Sequence, residues 1–311
     1  RHGGAALAGP FIHCAFYGGM NISENGSEQQ KKELLPKLAA GEILMAYGLS
    51  EPNVGGDLAA VETIATLSDD KSTVIINGTK RWCTGARFAD YVICLVRSGA
   101  ADAKYKNLSM AIVPLDTPGI EIFDLDHIGL RYAKTTDVVL TNVEIPAENI
   151  LGGFASWNRG WDMLASEALD VEKLEITGVA LGIAAAAVDN AWEYAQQRKQ
   201  FGHLISAHQA IRHDLVEAKT KLQACRHMLY HAAHLAQNRV SCSVETSMAK
   251  LFVGDTALEI VLKCQQVMGA YGCSSEYAME RHVRDIMVMP IVGGSSKMQK
   301  NNIAARLRLP G

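Results

Sequence analysis

Ser72-Thr73-Val74-Ile75-Ile76-Asn77-Gly78-Thr79-Lys80-Arg81-Trp82-Cys83-Thr84-Gly85 is the stretch on which the reading of the fold turns. Its first five residues, Ser72–Ile76, are β-rich and end on Asn77-Gly78, a turn signal. Similar runs follow at Tyr91–Val96, Leu108–Val113, Gly119–Phe123 and Asp137–Ile145, punctuated by Thr117-Pro118-Gly119 and Ile145-Pro146. From about Ile43 to Leu151 no helical pattern intervenes. Strands in series at hairpin-like spacing predict a small antiparallel sandwich or barrel.

On the N-terminal side, residues 1–44 read as helical: an apolar stretch around Ala5–Phe16, then Glu28–Ala40 with Leu34, Leu35 and Leu38 at helical spacing. On the C-terminal side the long helical candidates are Trp161–Gln197, Ala207–Gln237, Ser243–Met268, Glu276–Met287 and Ser295–Leu307. Glycines at 202, 269, 272 and 293–294 fall between them, as helix stops should. The expected class is α+β, with an N-terminal helical remainder (1–44), a central β-domain (45–152) and a C-terminal helical bundle (153–311).

Composition narrows the function classes. The chain has 311 residues, 48% hydrophobic and 20% charged, enough for a sizeable core and two or three domains. A formal charge of −3 with no basic stripe argues against nucleic acid as a partner. The most apolar run, Gly178–Val188, is shorter than the ~18 residues a membrane helix needs and is broken by glycine. Seven cysteines, scattered and never spaced Cys-x-x-Cys, read as free thiols of a reducing compartment rather than a disulfide framework or zinc site. Asn-x-Ser/Thr sequons such as Asn77-Gly78-Thr79 are uninformative. His227, His231 and His234 share a helical face without a companion carboxylate base, and read as surface or packing residues with no metal expected. The start at Arg1 suggests a fragment.

Five motifs in order then carry a family resemblance. Ala46-Tyr47-Gly48-Leu49-Ser50-Glu51-Pro52-Asn53-Val54-Gly55-Gly56-Asp57 resembles the Tyr-Cys-Val-Thr-Glu-Pro-Gly-Ala-Gly-Ser-Asp signature of FAD-dependent acyl-CoA dehydrogenases. Gly78–Gly85 resembles Gly-x-Lys-x-Trp-Ile-Thr-Asn, and Tyr194–Gln209 fits Tyr-x-x-x-Arg-x-x-Phe-Gly…Gln. Gln266-Val267-Met268-Gly269-Ala270-Tyr271-Gly272 is similar to Gln-x-x-Gly-Gly-x-Gly, and Glu280-Arg281-His282-Val283-Arg284-Asp285 matches Glu-Arg-x-x-Arg-Asp. The resemblance covers nearly the whole chain, from the Gly26–Glu42 helix to Arg306, with the leading helices of the family's first domain absent.

The resemblance implies roles residue by residue. Leu49 and Ser50 would meet the pyrimidine edge of the flavin, Trp82 its ring and Thr84 the neighbourhood of N5. Arg198 would bind the FAD diphosphate, with Phe201 packing on the cofactor, and Gln266, Gly269 and Ala270 would lie against the ADP half. Tyr47, Cys83, His208, Gln209, Ser295 and Lys297 complete the implied cofactor set. Asp170, Lys173, Gly293, Gly294 and Gly56 are the implied substrate positions; Gly56 stands where the family has a CoA-touching Ser, which removes that hydroxyl. Acyl-CoA as substrate, a homotetramer, and electron transfer flavoprotein as electron acceptor are implied with them. The final loop favours a bacterial cytoplasmic setting over a mitochondrial one.

Dehydrogenation of an acyl thioester needs a carboxylate base whose pKa is raised by burial, and a stabiliser for the enolate-like oxygen. Most family members place the base in a loop Tyr-Glu-Gly-Thr. Here the loop reads Met289-Pro290-Ile291-Val292-Gly293-Gly294-Ser295-Ser296, and Gly293 stands at the base position. A subgroup including isovaleryl- and long-chain acyl-CoA dehydrogenases instead carries Leu-Asp-x-Glu-Arg on the first bundle helix. Leu169-Asp170-Val171-Glu172-Lys173 matches it, making Glu172 the expected base. Glu167 and Glu175 lie on the same stretch, and Glu175, three residues on, is the alternative under a register shift. Lys173 cannot reproduce the bidentate contact of the family's Arg. Gly293 keeps a backbone N–H that would serve the thioester oxygen. The Gly293–Gln299 stretch also resembles crotonobetainyl-CoA reductase-like members, which leaves a reductase, or a non-catalytic FAD-binding relative, as alternatives.

Overall fold

The computed structural model describes residues 8–164 and 168–309, which form two compact units. One comprises Gly9–His127 and Arg131–Leu169; the other holds Ile128–Leu130 and the chain from Asp170 onward. Glu167, the beginning of the Ala5–Phe16 stretch and the last two residues lie outside the described residues.

The first unit is built on seven strands: β1 (Met45–Gly48), β2 (Ile64–Leu67), β3 (Thr73–Lys80), β4 (Tyr91–Arg97), β5 (Leu108–Pro114), β6 (Ile120–Asp124) and β7 (Thr136–Pro146). Their order is β1-β4-β2-β3-β7-β6, with β5 also on β4. Four pairings are antiparallel, as the hairpin spacing predicts, but the sheet is mixed. β1 runs parallel to β4, from Met45↔Tyr91 to Gly48↔Cys94, and β2 meets β4 in parallel at Ile64↔Arg97. β5 pairs the whole of β4, so β1 and β2 share its other edge. This accounts for the unbroken apolar run Val92–Val96, buried on both faces of the sheet.

Asn77-Gly78 is not a hairpin turn. Both residues lie inside β3, where the register with β7 slips between Ile76 and Gly78 and Asn77 Oδ1 accepts from the Asn142 N–H at 2.8 Å. Gly78, at φ +152°, passes so close to Thr63 that a Cβ there would overlap its side chain. Turn chemistry has been used to make a β-bulge.

The N-terminal segment packs Phe16 and Ile22 wholly inside and winds Ile12–Met20 as a π-helix. The Glu28–Ala40 helix starts on a capping box, Ser27 with Gln30, and stops at Gly41 in the left-handed region. Gln30 also donates to the carbonyls of Glu148 and Ile150 at 2.8 Å, fastening the helix beside the end of β7.

In the second unit the bundle helices are Ala168–Ala195, Gln209–Gln237, Ser243–Met268, Met279–Ile286 and Ser296–Arg306. The expected Trp161–Gln197 helix is described as Gly160–Leu164 and Ala168–Ala195, and Glu276–Met287 is shorter than its pattern suggested. Ala184, Ala187, Ala191 and Ala195 recur at helical spacing and are fully buried, so neighbouring backbones approach closely. Gly269, at φ +59°, ends the Ser243–Met268 helix. Phe201 and Gly202, both at positive φ, form the two-residue turn of a short hairpin, Lys199–Gln200 with His203–Leu204.

Candidate active site

In the sheet unit the parallel pairing carries β1 straight into Leu49 and Ser50. That loop is held by a buried ion pair: Glu51 Oε1 lies 2.7 Å from Lys80 Nζ, both side chains almost wholly out of water. Glu51 accepts further hydrogen bonds from the N–H groups of Glu62 (2.5 Å) and Thr63 (2.9 Å), and Lys80 also reaches the Leu49 carbonyl at 3.4 Å. Burial pushes the Glu51 carboxyl up, but the Lys80 charge and these hydrogen bonds outweigh it and hold it below the usual carboxylate range.

The Ser50 carbonyl accepts from Arg81 N–H at 2.9 Å, joining this loop to the Trp82–Gly85 turn. Cys83 exchanges two hydrogen bonds with Thr136, each 2.8 Å, and Thr84 Oγ1 lies 3.1 Å from Thr135 Oγ1. Trp82, at φ +64°, is 54% exposed with Arg81 over its ring at 5.1 Å. Cys83 is fully buried, its thiol pushed up by desolvation, and both its backbone groups are bonded to Thr136. Both contacts hold the turn to the start of β7. Tyr47 stacks on Tyr17 at 5.1 Å and donates to Asn21 Oδ1 at 3.3 Å.

In the helical unit Glu172 is half-buried as a residue, yet its carboxyl is crowded by protein. Desolvation pushes it up to about 7, against the opposing pull of the Lys173 and Lys250 charges. Glu175 is pushed up to about 8, by burial first and then by the charge of Glu172, and its Oε2 has no hydrogen-bond partner among the described residues. Gly293, at φ +62°, packs against Ile176 so tightly that a Cβ would overlap Ile176 Cδ1. Ile176 is one helical turn beyond Glu172, so the loop position without a side chain rests on the helix segment that carries the carboxylate.

Asp170 and Lys173 are paired at 2.9 Å, and Asp170 also accepts from Ser243 Oγ (2.5 Å) and Thr246 Oγ1 (3.1 Å). The loop end is held by Gln299, whose Nε2 donates to the carbonyls of Gly293 (3.2 Å) and Gly294 (3.0 Å), while Ser295 caps the last helix through Met298 N–H. Arg198 lies 5.7 Å over the Tyr271 ring, and Phe201 is 92% exposed beside His208. Gln209 opens its helix; Gln266, Gly269 and Ala270 are exposed where theirs ends, and Gly56, Gly294 and Lys297 are exposed on loop or helix surface. In the Glu280–Asp285 motif Arg284 holds Glu280 at 2.7 and 3.0 Å and Asp285 accepts from Leu130 N–H at 2.7 Å, while Arg281 Nε is buried with no hydrogen-bond partner among the described residues.

A bound flavin dinucleotide needs an open aromatic surface, a loop able to approach its ring, and a cation for the diphosphate. Trp82 and Phe201 leave large aromatic faces uncovered. Gly48, where a Cβ would crowd Cys94, Val92 and Lys80, allows the loop its close packing on the sheet. Arg198 is exposed and lies over the Tyr271 ring, with no carboxylate paired to it among the described residues. Within each unit, taken by itself, the residues present suit the part of such a group that they would meet. Sequence reasoning passed over the Glu51–Lys80 clamp, the Ser243 and Thr246 contacts to Asp170, and Lys250. The signal for Lys250 was legible, as a charge at an apolar-face position in Ser247-Met248-Ala249-Lys250-Leu251-Phe252-Val253.

Residues 46–143 match the family of the acyl-CoA dehydrogenase middle domain and residues 158–308 that of the acyl-CoA dehydrogenase C-terminal domain. An acyl-CoA dehydrogenase of Bacillus subtilis is 36% identical over 88% of the chain and 71% of the relative. The caffeyl-CoA reductase-Etf complex subunit CarC of Acetobacterium woodii is 33% identical over 91% of the chain and 73% of the relative. The solved butyryl-CoA dehydrogenase of Megasphaera elsdenii superimposes with a TM-score of 0.93 at 32% identity, covering 98% of this chain and 78% of that one.

Proposed function

The chain belongs to the acyl-CoA dehydrogenase family, a family of flavoprotein oxidoreductases, and on that premise we propose that it desaturates an acyl-CoA at the α,β-bond with Glu172 as base. The observation that carries the reading is the reciprocity of two positions. Glu172 is a desolvated carboxyl raised to about 7, and the loop position facing its helix is a glycine, at φ +62°, on which the Ile176 side chain rests. A carboxylate with that affinity for protons takes an α-proton far more readily than one in water, and is still ionised at neutral pH for a large fraction of molecules.

FAD is the proposed cofactor and, when bound, supplies the acceptor for the β-hydride. The Leu49–Ser50 loop and the Trp82–Thr84 turn would hold its ring system, and Arg198 its diphosphate. Gly293 N–H would donate to the thioester oxygen as charge develops there. The Lys173–Asp170 pair would stand at the CoA portion as an already neutralised unit.

The opposite direction is a second reading, favoured by the same carboxyl. Near neutral pH Glu172 is protonated in a comparable fraction of molecules, so it can return a proton to the α-carbon of an enoyl-CoA. The caffeyl-CoA reductase subunit and the crotonobetainyl-CoA reductase-like final loop point the same way. Electron transfer flavoprotein as partner, a homotetramer and a bacterial cytoplasmic setting belong to this proposal.

The test is anaerobic titration of FAD-loaded protein with acyl-CoAs, from butyryl-CoA to branched and aryl esters, for the native chain and Glu172→Gln. A saturated ester that bleaches the flavin of the first and not of the second supports the base. Equal bleaching transfers the role to Glu175. No bleaching by any saturated ester, with reoxidation of reduced protein by an enoyl-CoA, makes it a reductase.

A further inference from the structure

Lys250 is a buried charge that the proposed function leaves without a task. It sits inside the Ser243–Met268 helix, 1% exposed, beside the buried Ala249 and Val253. A lysine so placed is costly unless its charge is used. Its ammonium donates to the Met289 carbonyl at 3.1 Å, and Met289 opens the loop that ends in Gly293 and Gly294. Gln299 grips the other end of that loop. The loop is thus held at both ends by side chains from two different helices.

The carboxylates facing the ammonium are Glu172 and Asp255. Asp255 is exposed and accepts from Ser296 Oγ at 2.6 Å. Glu172 faces Lys173 and Lys250, with Glu175 on its own helix. Lys173 is already paired with Asp170, so much of its charge is cancelled locally. Lys250, bonded to a neutral carbonyl and facing Asp255 as well as Glu172, adds a second positive charge on the side of the base.

We propose that Lys250 is a positioning residue for the reaction: from a buried place in its helix it fixes the Met289–Gly294 loop through the Met289 carbonyl and sets a positive charge on the side of Glu172. The proposal rests on Glu172 being the base. Burial lowers Lys250 to about 8, which still leaves it cationic at neutral pH. An opposite charge brought alongside favours the ionised form of a carboxyl.

Lys250→Gln separates the two parts of the role, since it keeps a donor for Met289 and removes the charge. In FAD-loaded protein, the carboxyl infrared band lost in Glu172→Gln is titrated with pH, without substrate. In Lys250→Gln its midpoint is expected to rise by about one pH unit, and the acid limb of flavin bleaching by butyryl-CoA to rise with it. Lys250→Arg, which restores the charge, should return both to the native position. Lys250→Met replaces the Gln variant if that one fails to bind FAD. A band midpoint unmoved in an FAD-binding variant without the charge, or displaced as far in Lys250→Arg, overturns the proposal. Retained turnover in Glu172→Gln would instead sink the base assignment, and the infrared titration keeps the two failures apart.

Discussion

Glu51 in the sheet unit and Glu172 in the helical unit are both carboxylates withdrawn from water, and the protein treats them in opposite ways. Glu51 receives a lysine at 2.7 Å and two backbone N–H groups, and is held below the usual carboxylate range. Glu172 receives no hydrogen bond of that kind among the described residues; the cations acting on it are engaged by Asp170 and by a backbone carbonyl, and it rises to about 7. A fully compensated buried charge is a fastener, fixed in one protonation state. An undercompensated one is chemically ready, because its proton affinity lies near the working pH. Burial alone does not distinguish them; the partners do.

The comparison breaks first at turnover. Glu172→Gln should lower the rate of flavin bleaching by a bleaching acyl-CoA about 10³-fold or more while FAD stays bound, measured by anaerobic stopped flow. Lys80→Met should instead strike folding. It leaves Glu51 buried without its counter-charge, and denaturant unfolding should show a loss of about 3–5 kcal/mol, much of it recovered in a Lys80→Met, Glu51→Leu double variant. A loss near zero would mean that the clamp is not a fastener.

The pH dependence of stability should have opposite signs at the two sites. Glu172 has its folded pKa raised, so its contribution is full below the ordinary carboxylate value and is lost as pH rises through about 7. Glu172→Gln should therefore melt higher than the native chain at pH 8, by the equivalent of about 1–3 kcal/mol, and no higher near pH 4.5. Glu51 has its folded pKa lowered, so its contribution is present above the ordinary value and fades on acidification. Melting curves across this range would show both limbs. The smallest effect belongs to Glu175→Gln. If Glu172 is the base, removing the Glu175 carboxyl takes away only a neighbour of the reacting group, so turnover should change by less than about threefold. A collapse of turnover would identify Glu175 as the base.

Much of this was legible in residue order. The alternation of β-rich runs and turn signals between two helical regions led to the right architecture because periodicity is a local property. The motif strings brought Leu49, Ser50, Trp82 and Thr84 into one unit and Glu172 and Gly293 into the other. Asn77-Gly78 misled because turn chemistry and bulge chemistry use the same backbone freedom; only the partner strand shows which is meant. The parallel pairing of Met45–Gly48 with β4 could not be read either, since it joins segments more than forty residues apart with no local mark of direction.

The sequence by itself determined the family and the order of helical and β regions, and it offered the pairing of Gly293 with Glu172 on which the proposed base rests. Only the tertiary structure decided which carboxylate is held ionised by close partners and which has its proton affinity raised. Residue type fixes a group's ordinary proton affinity. The shift depends on desolvation and on charges brought alongside from distant parts of the chain, as Lys80 is to Glu51 and Lys250 to Glu172. Those distances exist only after folding.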